Sequence, residues 1–411
     1  MSTMDIYEKY KNICYQLDHY PVDSELIYKY GFTREAINFV RLAKLKDSEY
    51  LKLNLPDELA NPLLYWKHDK IIANFLGSHD LIRNSIMNQF ADWRESEMLN
   101  GFLFSEIESS LAVEGIRSTR AQIEKLNKVD YDDLTETNDI IIKNMLLGYE
   151  FVKNNDITEE NIFKLYSLLS KRCLKGDEQL LPGYKYRHDE VSIVDAVKVV
   201  VDKGINWKLL PKLMNELMVY INQEKTHEEH LLASHVIHFY MVYLHPYFDY
   251  NGRMARVMSF WYNIKHAPSL SLLLVSEAIN NKIHKQGYYN AIMNSRKAGH
   301  DITYFLEYMG KIILKFSKIY INFYTIQNKL KRSGQFLNRS HEIALKNVLA
   351  IPVTDDGYFD WKDYKNFSHD DFSKQYYLKL LNVLVDLEIL LVREHKKAKL
   401  FKLNINHWDL L

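Results

Sequence analysis

HPYFDYNGRMAR, residues 245–256, separates two apolar runs, LLASHVIHFYMVYL before it and VMSFWYNI after it. Both flanks read as helix, so the segment is a loop and a helix start carrying polar groups that a packed core would not choose. Each residue type has a chemical use. His245 offers the side chain whose ordinary pKa lies nearest neutrality, the commonest general base. Asp249 is a hard oxygen ligand suited to Mg²⁺ held against phosphates. Tyr250-Asn251-Gly252 is turn-like, and successive backbone N–H groups in such a turn form an anion nest. A helix beginning near Gly252 adds its own free N–H groups and dipole. Arg253 and Arg256 stand three apart on that helix and share a face, where two guanidinium forks suit a polyphosphate. A base, a metal ligand, a nest and two clamps are the parts that phosphoryl-type transfer needs, because that chemistry rests on positioning and charge neutralisation. A solvated helix start with an Asn-Gly turn accounts for the same residues, and spacing alone does not separate the two.

The surrounding chain narrows the class. With 411 residues the length suits two or three domains. Lys+Arg and Asp+Glu both number 53, so there is no excess positive charge for general nucleic-acid binding. Only Cys14 and Cys173 are present, too few for a disulfide framework, which points to a reducing compartment. The N-terminus MSTMDIYEKYKNICY carries acids and lacks the long apolar core of a signal peptide, and no apolar run approaches a membrane span. The expectation is a cytoplasmic protein with no membrane contact.

Helix-like spacing dominates. Thr33 caps REAINFVRLAKL, residues 70–115 read as one or two helices, and Pro211 sits near a helix start. Strand signal is sparse. VSIVDAVKVVVDKG (191–204) reads as a short hairpin, and EILLVRE pairs with AKLFKLN across HKK after a helix opened by Ser373. The fold class is therefore mainly α: a helical bundle with a short β-hairpin flap and a small C-terminal winged-helix-like α+β module. The expected organisation is an N-terminal helical region over 1–95, a central domain over 96–325 and the C-terminal module over 326–411.

The opening stretch closely resembles the signature of the Fic (filamentation induced by cAMP) family, H-P-F-x-[D/E]-G-N-G-R-x-x-R. His245, Pro246, Asp249, Asn251, Gly252, Arg253 and Arg256 match; Tyr247 replaces Phe and Tyr250 replaces Gly. LPGYKYRHDEVSI (181–193) is similar to the family's pre-flap sequence and hairpin, and SEAINNKIHKQGYYNAIMNSR to its following helix, so the likeness covers about 110–310. The resemblance implies a Fic-fold bundle and transfer of AMP from ATP, with Mg²⁺, to a Ser, Thr or Tyr hydroxyl of a target protein. In those terms His245 deprotonates the hydroxyl, Asp249 holds Mg²⁺, Asn251 and Gly252 line the anion hole, and Arg253 and Arg256 hold the β- and γ-phosphates. Tyr288 and Tyr289 lie near the base. The flap, about 189–203 with Val191, Ser192 and Ile193, aligns the target by strand addition. Auto-modification and a homodimer stay open.

SSLAVEG (109–115) is a second motif. Ser110 and Glu114 lie one helical turn apart, and Gly115 is a natural helix stop. Glu114 then sits at the helix C-terminus, the wrong end for a negative charge, unless a cation offsets it; Arg117 and Arg120 follow at once. The stretch also resembles the family's inhibitory motif, [S/T]-x-x-x-E-[G/N], on a helix of about 104–115. That implies autoinhibition by Ser110, Glu114 and Gly115, with Glu114 pairing Arg256 and blocking the γ-phosphate.

Three points remain open. Tyr250 is costly wherever φ is positive: either φ is negative here and transfer is intact, or the pocket suits another nucleotide donor, or the site is weakened and serves for binding or for removal of AMP. Among His227, His230, His235 and His238, the HEEH pattern tempts a metal-dependent hydrolase reading, but its i,i+3 spacing misses the metalloprotease pattern and solvated or core histidines are favoured. At the C-terminal tip Arg393, Lys396, Lys397 and Lys399 suggest a protein- or DNA-binding regulator carrying a weak catalytic core. Helices at 340–348 and 374–387 are its candidate helix-turn-helix; no base-reading residues stand out, so DNA is disfavoured.

Overall fold

The computed structural model describes residues 3–87, 97–194, 200–281, 283–352, 356–368, 371–395 and 398–411. The expected boundary at 95/96, the flap residues 195–199 and the tip residues Lys396 and Lys397 lie outside the described residues. No described helix is long and apolar enough to cross a membrane.

The N-terminal region holds α1 (Thr3–Gln16), α2 (Asp23–Tyr30) and α3 (Arg34–Lys44), the last capped by Thr33, whose side chain accepts from the Ala36 N–H. It is not wholly helical. β1 (Tyr50–Pro56) and β2 (Pro62–Trp66) form an antiparallel hairpin with Tyr50 opposite Trp66 and Pro56 opposite Pro62. The physical signal was present: YLKLNLP alternates, with Leu53 and Leu55 buried, and the two prolines stand at strand ends where no ladder N–H is lost.

The central bundle comprises α4 (Asp69–Ser85), α5 (Glu97–Val113), α6 (Arg120–Asn127), α7 (Thr137–Asn154), α8 (Glu159–Ser170), β3 (Ser192–Val194) and β4 (Val200–Lys203). It continues with α9 (Leu210–Ile221), α10 (His227–Leu244), α11 (Asn251–His266), α12 (Val275–Asn280), α13 (Lys285–Lys297) and α14 (Thr303–Arg332). The pairs α4–α14, α10–α11, α5–α12 and α7–α8 pack most closely. α10 is apolar nearly all round because it is the central helix, buried from Leu231 to Leu244 except at Val242; Thr226 and Glu229 close its start as a capping box. Of the four histidines weighed for metal, two lie in the core and two do not: His227 is exposed and His230 half-buried. His235 and His238 are buried, His235 packs on Phe75, and His230 Nδ1 is 2.7 Å from the Tyr262 hydroxyl.

α14 is 30 residues long and contributes Phe305 to the central core and Phe323, Ile326 and Leu330 to a second one. The expected boundary at 326 thus falls inside a continuous helix. The second core is completed by α15 (Arg339–Ala350), α16 (Trp361–Phe367), α17 (Lys374–Asp386), β5 (Leu390–His395), β6 (Ala398–Leu403) and α18 (Ile405–Trp408). α16 was not legible in the sequence: seven residues are too few to show a period, although Asp360 and Asp363 form its capping box. It intervenes between the two helices expected as a helix-turn-helix. β5 and β6 pair as expected from Leu390↔Leu403 to His395↔Ala398, and Phe359 bridges Phe401. Arg393 is committed to Asp356 at 2.6 Å and lies 3.6 Å over the Tyr358 ring.

The N-terminal region is tied to α14 by a buried polar cluster. Asp301 Oδ2 accepts from Lys44 Nζ at 2.8 Å and from the Tyr20 hydroxyl at 2.7 Å, and Oδ1 accepts from the Thr303 N–H at 3.1 Å. Tyr10 and Tyr50 complete the cage, 2.7 and 2.8 Å from the Tyr20 hydroxyl. Removing one partner of such a pair strands the other charge. Asp301→Asn is expected to destabilise the protein by about 3–5 kcal/mol in urea unfolding, with Lys44→Met in the same chain recovering part of the loss.

Candidate active site

The loop after α10 is held by its ends. His245 is the C-cap of α10 with φ 49° and ψ 59°, and Tyr250 is the N-cap of α11 with φ 70° and ψ 4°. Both are left-handed conformations that cost a side-chain-bearing residue about 1–2 kcal/mol, so the surroundings must enforce them. The Asn251 side chain does so from within: Oδ1 accepts from the Tyr247 N–H at 3.0 Å and Nδ2 donates to the Tyr247 carbonyl at 2.7 Å. Its side chain therefore staples the loop. Tyr247 is fully buried and stacks on Tyr166 at 3.7 Å with 3° between the planes.

Arg187 enforces it from outside, a role the sequence reading did not assign. Buried to 1% exposure, it donates from Nε to the His245 carbonyl at 2.8 Å, from Nη1 to the Asp189 carbonyl at 2.8 Å and from Nη2 to the Ile205 carbonyl at 2.5 Å. Its own N–H donates to Pro246 at 2.8 Å. One guanidinium thus fixes the catalytic loop to both feet of the flap. The flap pairs Ser192 with Lys203 and Ile193 with Asp202; Ser192 is exposed, and Val191 and Ile193 are half-buried. Burial, with the charges of Arg187 and Arg296 adding to it, holds the His245 imidazole down to about 4, so it is neutral and able to accept a proton near pH 7.

Beyond the loop, Tyr250 gives α11 no side-chain cap, and the first N–H groups of the helix have no intrahelical partner. A carboxylate stands there. α5 ends in a left-handed turn at Gly115 (φ 80°), closed by the Ile116 N–H donating to the Leu111 carbonyl at 2.9 Å. Glu114 then projects against α11, its Oε1 2.6 Å from the place where a Cβ on Gly252 would stand, so a side chain at 252 would have to push the carboxylate aside. Arg256 Nη2 donates to Glu114 Oε1 at 2.6 Å and to the Ser110 carbonyl at 3.2 Å, and Arg256 Nε donates to Ser110 Oγ at 2.8 Å. Burial alone would raise the Glu114 carboxyl, but Arg256, backed by Arg253 and Lys285, holds it below the usual carboxylate range. The offsetting cation is thus distant in sequence; Arg120 is taken by Glu124 at 2.8 Å. Lys285, also missed, donates to the Val113 carbonyl at 2.8 Å and caps the same helix end.

Arg253 takes different partners: its Nη2 is 3.6 Å from Asp249 Oδ2 and its guanidinium lies 3.4 Å from the Tyr250 ring centre. The premise that φ is negative at Tyr250 is overturned. Asp249 Oδ1 accepts from the Tyr250 N–H at 2.6 Å, while the side chain keeps 48% exposure. One exposed carboxylate beside a phosphate-type site fits Mg²⁺, which is commonly held by one or two carboxylates and substrate phosphates. Among the described residues no cluster of three or more His, Cys, Asp or Glu is placed to hold a metal by itself. Tyr288 is buried with its hydroxyl 2.9 Å from His238 Nε2, and Tyr289 packs edge-on against it, half-buried. One turn before Ser110, buried Glu106 accepts from the Ser276 N–H at 3.1 Å and the Tyr149 hydroxyl at 3.3 Å; burial pushes its carboxyl up to about 8.

No curated protein matches this chain in sequence. Solved structures do resemble it. A Fic family protein from Desulfovibrio desulfuricans aligns with a TM-score of 0.52 at 18% identity, covering 83% of this chain and 97% of that one, which shows a shared fold. Fic-1 from C. elegans aligns at 0.43 and 15% identity over 61% and 70% of the two chains. A Fic domain-containing signalling protein from Bacteroides thetaiotaomicron aligns at 0.42 and 16% over 66% and 99%. Residues 156–262, which include the whole His245–Arg256 loop and helix start, match the Fic/DOC family model, and the chain carries a Fic/DOC family domain, of a family that typically transfers a nucleotide monophosphate to proteins.

Proposed function

We propose that the protein is an adenylyltransferase that moves AMP from ATP to a Ser, Thr or Tyr hydroxyl of a target protein and is held in check by Glu114. The observation that carries this reading is the carboxylate of Glu114 standing at the open N-terminus of α11 on Arg256, with the neutral His245 imidazole at the other end of the same loop. A carboxylate at a helix N-terminus occupies the place where a phosphate would be favoured.

With Glu114 withdrawn, the terminal phosphates lie against the N–H groups of α11 and the guanidiniums of Arg253 and Arg256. Asp249 would hold Mg²⁺, which supplies charge neutralisation when bound. The flap adds a strand of the target and brings its hydroxyl to His245. The target oxygen then bonds to the α-phosphorus, the bond from that phosphorus to the β-phosphate bridge breaks, pyrophosphate leaves, and the hydroxyl proton passes to His245. A neutral base is needed at the start, and the depressed pKa supplies it. The order α15, α16, α17 and the β5–β6 hairpin fits a winged helix, for which a protein partner suits the committed Arg393 better than DNA does.

Glu114→Gly is expected to raise labelling from α-labelled ATP, read by intact mass on the protein itself or a target, by tenfold or more; unchanged labelling would contradict the brake. His245→Ala in that background should lower the rate by about 10²–10⁴. Because the imidazole is protonated only below about 4, the rate of Glu114→Gly should be level on the acid side from pH 8 down to about 5 and fall below that as the base is lost. A midpoint near 6.5 would show an imidazole that is not buried as described. Arg187→Met should lower kcat more than it raises the KM for ATP, since it displaces His245 and the flap and leaves the phosphate clamps in place.

A further inference from the structure

Position 250 is where this chain departs most from the signature it resembles, and the structure gives the departure a use. At φ 70° any side chain is strained, yet Tyr250 is buried to 3% exposure in that conformation. Asp249 Oδ1 accepts from its backbone N–H at 2.6 Å, and the carbon of the Arg253 guanidinium stands over its ring, 3.4 Å from the ring centre. Arg253 is itself buried, with 6% side-chain exposure. Asp249 approaches only its Nη2, at 3.6 Å, while Nε and Nη1 are buried with no hydrogen-bond partner among the described residues.

A buried guanidinium nitrogen left without an acceptor is costly, and an aromatic face offsets only the charge, not the unfilled N–H bonds. A guanidinium whose flat face is covered presents donors only at its edge, in the plane set by the ring. The arrangement is a buried, partly unsatisfied cation near the helix N-terminus that Glu114 occupies, and the ligand that completes it is an oxyanion.

We infer that Tyr250 is a positioning residue for the phosphates of a nucleoside triphosphate: its ring holds Arg253 in one orientation, with free donors, where a glycine would leave the arginine to search. Pre-ordering of this kind raises affinity by lowering the freedom lost on binding. The inference rests on the proposed reading of the site. It goes further in assigning the triphosphate grip to a side chain that the signature does not contain.

The test is calorimetric binding of Mg²⁺–ATP, of AMP and of inorganic tripolyphosphate to the full chain in the Glu114→Gly background, with Tyr250 kept or replaced by Phe, Leu or Gly. Tyr250→Phe keeps the ring and loses the hydroxyl, so ATP affinity should stay within about twofold. Tyr250→Leu and Tyr250→Gly should weaken ATP and tripolyphosphate by about 10–30-fold, the range of a desolvated cation–π contact, and leave AMP unchanged. Tyr250→Gly relieves the left-handed strain but empties a buried ring site, so its melting temperature should fall, and the comparison of Leu with Phe, both side-chain-bearing, carries the binding test. Equal ATP affinity in the Leu and Phe variants, or an equal loss for AMP and ATP, overturns the positioning role while the transferase reading stands. Tripolyphosphate binding that depends on the ring, with no nucleotide binding, keeps the positioning of an oxyanion and sinks the transferase reading. No binding of either probe sinks both.

Discussion

A guanidinium with 2% side-chain exposure must find a counter-charge, and Arg256 finds it in Glu114. Burial works against the charge of Arg256 and Glu114 outweighs it. Much of the architecture around the loop follows from satisfying that pair. α5 must end where it does so that Glu114 is released from the helix, which the left-handed Gly115 allows. Glycine at 252 leaves α11 the space that the carboxylate fills, and a larger residue would displace it. Ser110 accepts from Nε and Nη2 of Arg256, and Lys285 covers the carbonyl end of α5. The interaction joins two helices far apart in sequence through a contact that a bound phosphate chain would have to replace.

α5 is also the helix on which other parts of the molecule converge. Glu106 fastens it to the start of α12 through the Ser276 N–H. Glu108 meets Arg339 of α15 at 2.7 Å, and Glu277 on α12 meets Lys346 of α15 at 2.9 Å. The C-terminal module therefore grips the helix that carries Glu114 and the helix fastened to it through Glu106. Exposed pairs of this kind contribute little each, but Lys346–Glu277 is mostly shielded, with 16% and 22% side-chain exposure.

The loop from His245 to Tyr250 shows a different balance. Two non-glycine residues in left-handed backbone would drift toward ordinary conformations in isolation. They persist because Asn251 closes the loop on itself, Tyr247 is stacked in the core and Arg187 holds its outer face. The cost is spread over the bundle, and the benefit is an imidazole kept neutral and fixed beside a helix N-terminus.

The sequence determined the helical class and pointed to a transfer chemistry. Residue types at 245–256 suggested a base, an oxygen ligand and two phosphate clamps, periodicity gave most helices, and Ser110-x-x-x-Glu114-Gly115 marked a carboxylate needing a cation. Local rules also sufficed for the caps at Thr33 and Ser373 and for the two later hairpins, because caps and turns depend on near neighbours. Short elements escaped: the β1–β2 hairpin was lost between helical neighbours, and α16 was too brief to show a period. The pairing of Glu114 with Arg256 was already implied by the resemblance, whereas only the tertiary structure decided that Tyr250 is left-handed and lies under Arg253, and that Arg187 ties His245 to the flap. Those facts depend on burial and on contacts between residues distant in the chain, and burial is what turns an ordinary arginine into a fixed, desolvated cation.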